Sequence, residues 1–348
     1  MVRSLCLAAT IAAAALPQSV LAVDRVIKTD GSEEAGTLDG MTRDTVTLKS
    51  RTSGEQQIKT ADISFIDFDA APAAVAGGRA ALQAGNVARA AEQFADAAKS
   101  APDDNDVKRE IEYLQAAALA AQAADPTRRD AAIAALQEFT SGSTKHYRYY
   151  PALLMLGRMQ SAAGQYAQAK ATFGSAASAP YPEFTLAANV GQADAALADG
   201  KLEEARRLYD DVVGKAGPSA GQQSQKLAAR LGQAKVLSQQ KQYDQAITTL
   251  EEVVRESGAG DTRVQAEAFL RQGDAYAAQG NQVKAAILAY LRVDVVPALA
   301  KESELHAEAL YRLKELWPAV AKPTRAAEAA SRLQSLYPDS EWTKKIGG

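Results

Sequence analysis

The sequence predicts a mostly α-helical chain, an α-solenoid of about seven helix pairs preceded by a small β-barrel-like unit. Three observations predict this. Residues Leu153 to Pro180 read as two amphipathic helices folded back on each other, related patterns recur from residue 73 to 340, and residues 24–69 alternate like strands. In the first helix of the central stretch, Leu153, Leu156 and Gly157 share a face, and Gly164 ends it. In the second, Ala169, Phe173 and Ala176 fall at i, i+4 and i+7, and Pro180 stops the helix. Gly157 and Ala169 let two backbones approach, and Phe173 fills the volume beside them. One such pair cannot bury its apolar faces alone, so it needs neighbours.

The chain has 348 residues, is rich in alanine and contains only 6% aromatics, which favours helices packed through small side chains. A net charge of −3 predicts no nucleic-acid surface. Residues 1–22 read as a signal peptide. Arg3 gives the positive end, Leu5 to Leu16 an apolar run too short to span a membrane, and Val20-Leu21-Ala22 the small residues before a cut ahead of Val23. Cleavage removes Cys6, the single cysteine, so the expected product has no disulfide and no thiol nucleophile. With no second long apolar run, a periplasmic or secreted chain without a transmembrane segment is expected.

Residues 24–69 predict four or five short strands. Val46 and Leu48 share a face in Thr45–Lys49, and Ile63, Phe65, Ile66 and Phe68 form a denser run. Turn signals stand at Asp30-Gly31, Asp39-Gly40, Arg43-Asp44 and Ser53-Gly54. The pattern Gly36-Thr37-Leu38, Asp44–Leu48, Asp62–Ile66 resembles small SH3-like or Sm-like β-barrels. So small a unit is marginal alone. It is either a docking or homo-oligomerisation module or a cap for the array.

After a Pro/Ala linker at residues 70–74, Gly78, Gly85, Ala90, Phe94, Ala97 and Pro102 match in order and spacing the pattern of tetratricopeptide repeats, as do Gly157, Gly164, Ala169, Phe173 and Ala176. The remaining pairs are degenerate. In the second, Asn105–Ala124 and Asp125–Thr140, Asp125 is suited to cap and Pro126 to the first turn. Gly85 to Gly164 and Gly200 to Gly280 each span two repeats at about 40 residues per repeat, longer than the usual ~34. This resembles the longer-helix tetratricopeptide arrays of bacterial cell-envelope proteins, although no lipobox is present and the β unit is foreign to them. The resemblance implies a right-handed superhelix whose concave face is lined by the first helix of each pair. It also implies lining positions one residue past the small-residue position, which here are Arg79, Arg158, Gln233 and Asp274. Arg158 is the foremost candidate, because a guanidinium can fork to a peptide carboxylate. The alternative is an exposed arginine without a partner.

No catalytic constellation is legible. His146 and His306 lack ligands at metal spacing and are expected in a solvated loop and on a helix surface. No GxSxG, P-loop or GxGxxG turn occurs, and Glu203-Glu204 and Glu251-Glu252 read as solvated helix faces. The run His146-Tyr147-Arg148-Tyr149-Tyr150 concentrates tyrosine where aromatics are scarce. Tyr147 is therefore a binding candidate, whereas Tyr150 is expected to pack into the next helix. Trp317 and Trp342 are expected to seal the last repeat. The reading is a non-catalytic exported scaffold for a protein or peptide, with no cofactor and no metal. A carbohydrate- or peptidoglycan-associated envelope module, centred on the β unit or the tyrosines, is the alternative from another class. An enzyme with an unrecognised site is the third.

Overall fold

The computed structural model describes residues 23–50 and 54–347. The predicted signal peptide, Cys6 and the Ser53 turn position lie outside the described residues. Strands β1 (Asp24–Lys28), β2 (Glu33–Met41), β3 (Thr45–Ser50), β4 (Gly54–Lys59) and β5 (Ile63–Asp67) form one antiparallel sheet in the order β4-β3-β2-β1-β5. A 3-10 turn, Thr60–Asp62, joins the last two. Asp39-Gly40 is not a turn. β2 runs through it with a register shift between Leu38 and Gly40, because a bulge absorbs the irregularity without reversing the chain.

Fourteen helices follow as seven pairs. They are α1 (Ala73–Gln83) with α2 (Val87–Lys99), α3 (Asn105–Ala120) with α4 (Pro126–Gly142), α5 (Tyr149–Ala162) with α6 (Tyr166–Ala176), and α7 (Pro182–Ala198) with α8 (Leu202–Lys215). Then come α9 (Ala220–Gln239) with α10 (Tyr243–Glu256), α11 (Thr262–Ala278) with α12 (Val283–Val295), and α13 (Ser303–Leu316) with α14 (Pro323–Leu336). A short α15 (Glu341–Gly347) closes the described chain. Asp125 caps α4 by accepting from Thr127 N, with Pro126 in the first turn. Within the described residues no helix is long and apolar enough to cross a membrane.

The pairs stack by small-against-large packing. A Cβ on Gly157 would meet the Phe173 ring at 2.7 Å, and Gly191 of the next pair abuts the other side of that ring. Gly232 lies on Tyr209, and Gly273 on Tyr290. The backbone between paired helices turns through positive φ at Gly85, Gly164, Gly200 and Gly280, and at Lys241 and Ala321 without the relief of glycine. The apolar core is correspondingly a string of clusters along the array, the last holding Trp317 and Trp342 half-buried, with Trp342 against Tyr311 at 5.2 Å. The sheet has no separate core. Val26, Val46, Ile58 and Ile66 belong to the same cluster as Val75, Phe94, Ile111 and Leu156.

Candidate binding groove

First helices of successive pairs touch one another, α3 on α5, α5 on α7, α7 on α9, α9 on α11 and α11 on α13, while the second helices have no comparable mutual contacts. The first helices therefore form the inner side of the curve. Two tyrosine hydroxyls reach this side from the second helices. Tyr209 donates to Asp194 at 2.5 Å, and Tyr290 to Asp274 at 2.8 Å. Charges then pair across neighbouring first helices, Lys235 with Glu267 at 2.7 Å and Arg271 with Glu308 at 3.1 Å. Burial raises the Glu267 carboxyl, but the Lys235 ammonium together with Arg271 and Arg263 outweighs it and leaves the group below its ordinary range. Solvent reaches Asp194, yet the surrounding protein desolvates its carboxyl enough to raise it above the ordinary range, against the Tyr209 hydrogen bond. Near the C-terminal end a cleft of about 380 Å³ is lined by Asp274, Tyr290, Tyr311 and Arg312.

The structure does not gather the predicted lining residues into one site. Arg158, on α5, is exposed, makes no hydrogen bond or ion pair with another described residue, and lies within electrostatic reach of Asp194. Gln233 donates to Asp210 at 2.6 Å. Asp274 accepts from Tyr290 and from Arg271 at 2.6 Å. Arg79 is turned inward to the sheet, donating to Ile66 O and to Glu110 Oε1, both at 2.9 Å.

Tyr147 is likewise no surface residue. It is 1% exposed, donates to Glu110 Oε2 at 2.8 Å and accepts from Ile66 N at 3.2 Å. Glu110 is the centre of this junction. Arg148 reaches its two oxygens at 3.0 and 3.1 Å and extends to Ser64 O at 2.9 Å. Burial opposes ionisation of Glu110, but Arg148 and Arg79 hold its carboxyl down at about 2. His146 is buried here and not in a solvated loop, because its ring packs on Phe139 and Tyr147. Desolvation pushes it down to about 4, against the pull of Glu110. His306 is buried too, between Asp294 and Tyr337, each at 2.8 Å. Tyr150 packs as expected, with its hydroxyl on Asp44 at 3.1 Å.

Glu110 was detectable in principle. It shares the i, i+3, i+4, i+7 stripe of Val107, Ile111 and Leu114, where a solvated charge would be misplaced. His306 sits on the same kind of stripe, with Ala309, Leu310 and Leu313. Among the described residues no group of three or more His, Cys, Asp or Glu is placed to hold a metal ion.

No curated protein matches this chain. Residues 154–221 and 231–303 match the tetratricopeptide repeat family. Two solved structures are similar. A tetratricopeptide repeat protein from Parabacteroides merdae ATCC 43184 has a TM-score of 0.53 at 16% identity, covering 78% of this chain and 95% of that one. The apo form of RapI has a TM-score of 0.50 at 11% identity, covering 78% of each chain. At such identities the likeness speaks for the fold alone. With the glycine–aromatic packing and the stacked first helices already described, residues 154–221 and 231–303 match tetratricopeptide repeats, and the helical array as a whole has the fold of tetratricopeptide-repeat proteins.

Proposed function

We propose that this chain is a non-catalytic, exported scaffold of the cell envelope that holds a protein or peptide segment along the inner face of its superhelix. Tetratricopeptide arrays are typically protein-interaction scaffolds, and the single observation that supports a groove ligand is Arg158. Further along the inner face, Lys235, Arg271 and Arg312 pair with Glu267, Asp274 and Glu308, whereas the Arg158 guanidinium is exposed and has no partner among the described residues. It is a free fork for a carboxylate of the bound segment. The half of the array next to α5 is thus the entry point of the ligand in this reading.

A photo-crosslinking residue placed at position 158 tests it, with position 248 on the outer face of α10 as the comparison. Discrete adducts from 158 alone are expected, and Arg158→Glu should abolish them at unchanged helicity. Equal adducts from both positions would remove the groove from consideration. Export is tested separately by sequencing the mature N-terminus, which is expected at Val23. An intact N-terminus on cytoplasmic chain would refute it.

A further inference from the structure

We infer that the outer edge of β4 is the pairing surface of a two-fold homodimer, with a second copy of this chain continuing the sheet as an antiparallel β4. The backbone direction at this edge follows from two hydrogen bonds. Thr42 N donates to Thr45 O at 2.8 Å, and Thr60 N donates to Asp44 O at 2.9 Å. Carbonyl and amide of one residue lie on the same side of a strand, and the side alternates along it. Thr45, Thr47 and Lys49 therefore turn toward β2, and Val46 and Leu48 toward β4. Their partners Ile58 and Gln56 turn back toward β3. Glu55, Gln57 and Lys59 must then direct both N–H and C=O away from the sheet. All three residues are exposed, and β4 packs extensively on β3 alone.

The other edge of the sheet is closed. Ile66 N is taken by the Tyr147 hydroxyl, Ile66 O by Arg79 and Ser64 O by Arg148. β4 of one copy therefore has no free β5 to join, and head-to-tail growth is blocked. What remains open is an isologous contact of β4 with itself, which closes at two subunits.

The edge is also complementary to itself. An antiparallel pair centred on Gln57 sets Gln57 opposite its own copy and Glu55 opposite Lys59 of that copy, twice. All outward backbone groups of the three residues find partners, and both cross-strand pairs carry opposite charges. In the single chain these side chains are weakly engaged. Lys59 Nζ lies 5.9 Å from the Tyr181 ring centroid and acts on Glu183 through its field, as Glu55 does on Lys49. Three residues a side make an interface at the small, transient end of the scale. The inference does not depend on what the groove holds.

The test is sedimentation velocity on the full mature chain from micromolar to near-millimolar concentration. The wild type is expected to show a concentration-dependent dimer. Glu55→Lys and Lys59→Glu each replace two attractive pairs by two repulsive ones and should each weaken self-association by about tenfold or more. An equimolar mixture of the two variants should dimerise again, because the wholly basic edge of the first variant then faces the wholly acidic edge of the second. Gln57→Pro removes an outward N–H without touching the β3 ladder, so it should abolish the dimer at unchanged circular dichroism. A wild type that stays monomeric throughout overturns the inference. So does a mixture of the reversed variants that fails to associate while the wild type dimerises.

Discussion

At Gly191 the face of a phenyl ring occupies the space where a side chain would stand, while at Glu110 a carboxylate lies between two guanidiniums. The first is the repeat interior, where neighbouring pairs meet through shape. The second is the junction of sheet and array, where Arg79, Arg148 and Tyr147 satisfy the exposed edge of β5 while Glu110 neutralises the arginines. In the repeats each pair contacts only its neighbours, so a packing defect stays local to the pairs that touch it. A buried charge cluster is not tolerant, because removing one member strands the others in a low-dielectric site. The junction should therefore be the brittle part of the molecule and the repeats the forgiving part.

Glu110→Gln attacks the junction directly. The buried Arg148 loses its counter-charge and Arg79 keeps only Asp67 at 3.7 Å, and a destabilisation of about 3–5 kcal/mol is expected in denaturant unfolding. Limited proteolysis in the 70–72 linker should increase with it. A loss no larger than that of a repeat-core variant would erase the contrast.

Acid should find the junction next. His146 is held near 4 against an ordinary 6.5, so unfolding takes up a proton between those values. Its contribution is intact above about 6.5 and falls as the pH drops toward 4, by up to about 3 kcal/mol. Glu110 is depressed from 4.5 to about 2, so its contribution is present above 4.5 and disappears as the pH falls through that lower window. Stability measured against pH in His146→Gln should be flatter between 6.5 and 4, and a profile parallel to the wild type would contradict the burial of the ring.

In the repeats, Ala169→Leu must push α5 and α6 apart at a site that is wholly buried, at a cost of about 1–3 kcal/mol in thermal unfolding. An unchanged midpoint would show that the pair is not closed there. The mildest change sharpens the comparison from the other side. Lys241 holds a positive φ of 61° where four other pairs place glycine, so Lys241→Gly should stabilise by some tenths to about 1 kcal/mol. No gain would mean that the turn carries no strain.

The difference between the two regions also explains what could be read in advance. Phe173 and Gly157 announce their contact because both lie in one hairpin, at spacings that the helical period converts into a shared face. The position of Arg158 on the first helix of its pair is legible for the same reason. Tyr147 and Arg79 are not surface residues because both meet the backbone of Ile66 on β5, 81 and 13 residues away, and His146 is not solvated because the same junction closes over its ring between Phe139 and Tyr147. Periodicity carries no information about which distant backbone edge a side chain will meet.

Composition and period by themselves determined that this chain forms seven helix hairpins behind a small sheet, because helix faces, small-residue positions and turns are short-range properties. Only the tertiary structure decided that the sheet shares its core with the first repeats, that Glu110 is the buried counter-charge of Arg79 and Arg148, and that Arg158 meets no partner among the described residues. The physical reason is that Coulombic and hydrogen-bond partners are selected by the surfaces that folding brings together, and burial then fixes what each pair is worth.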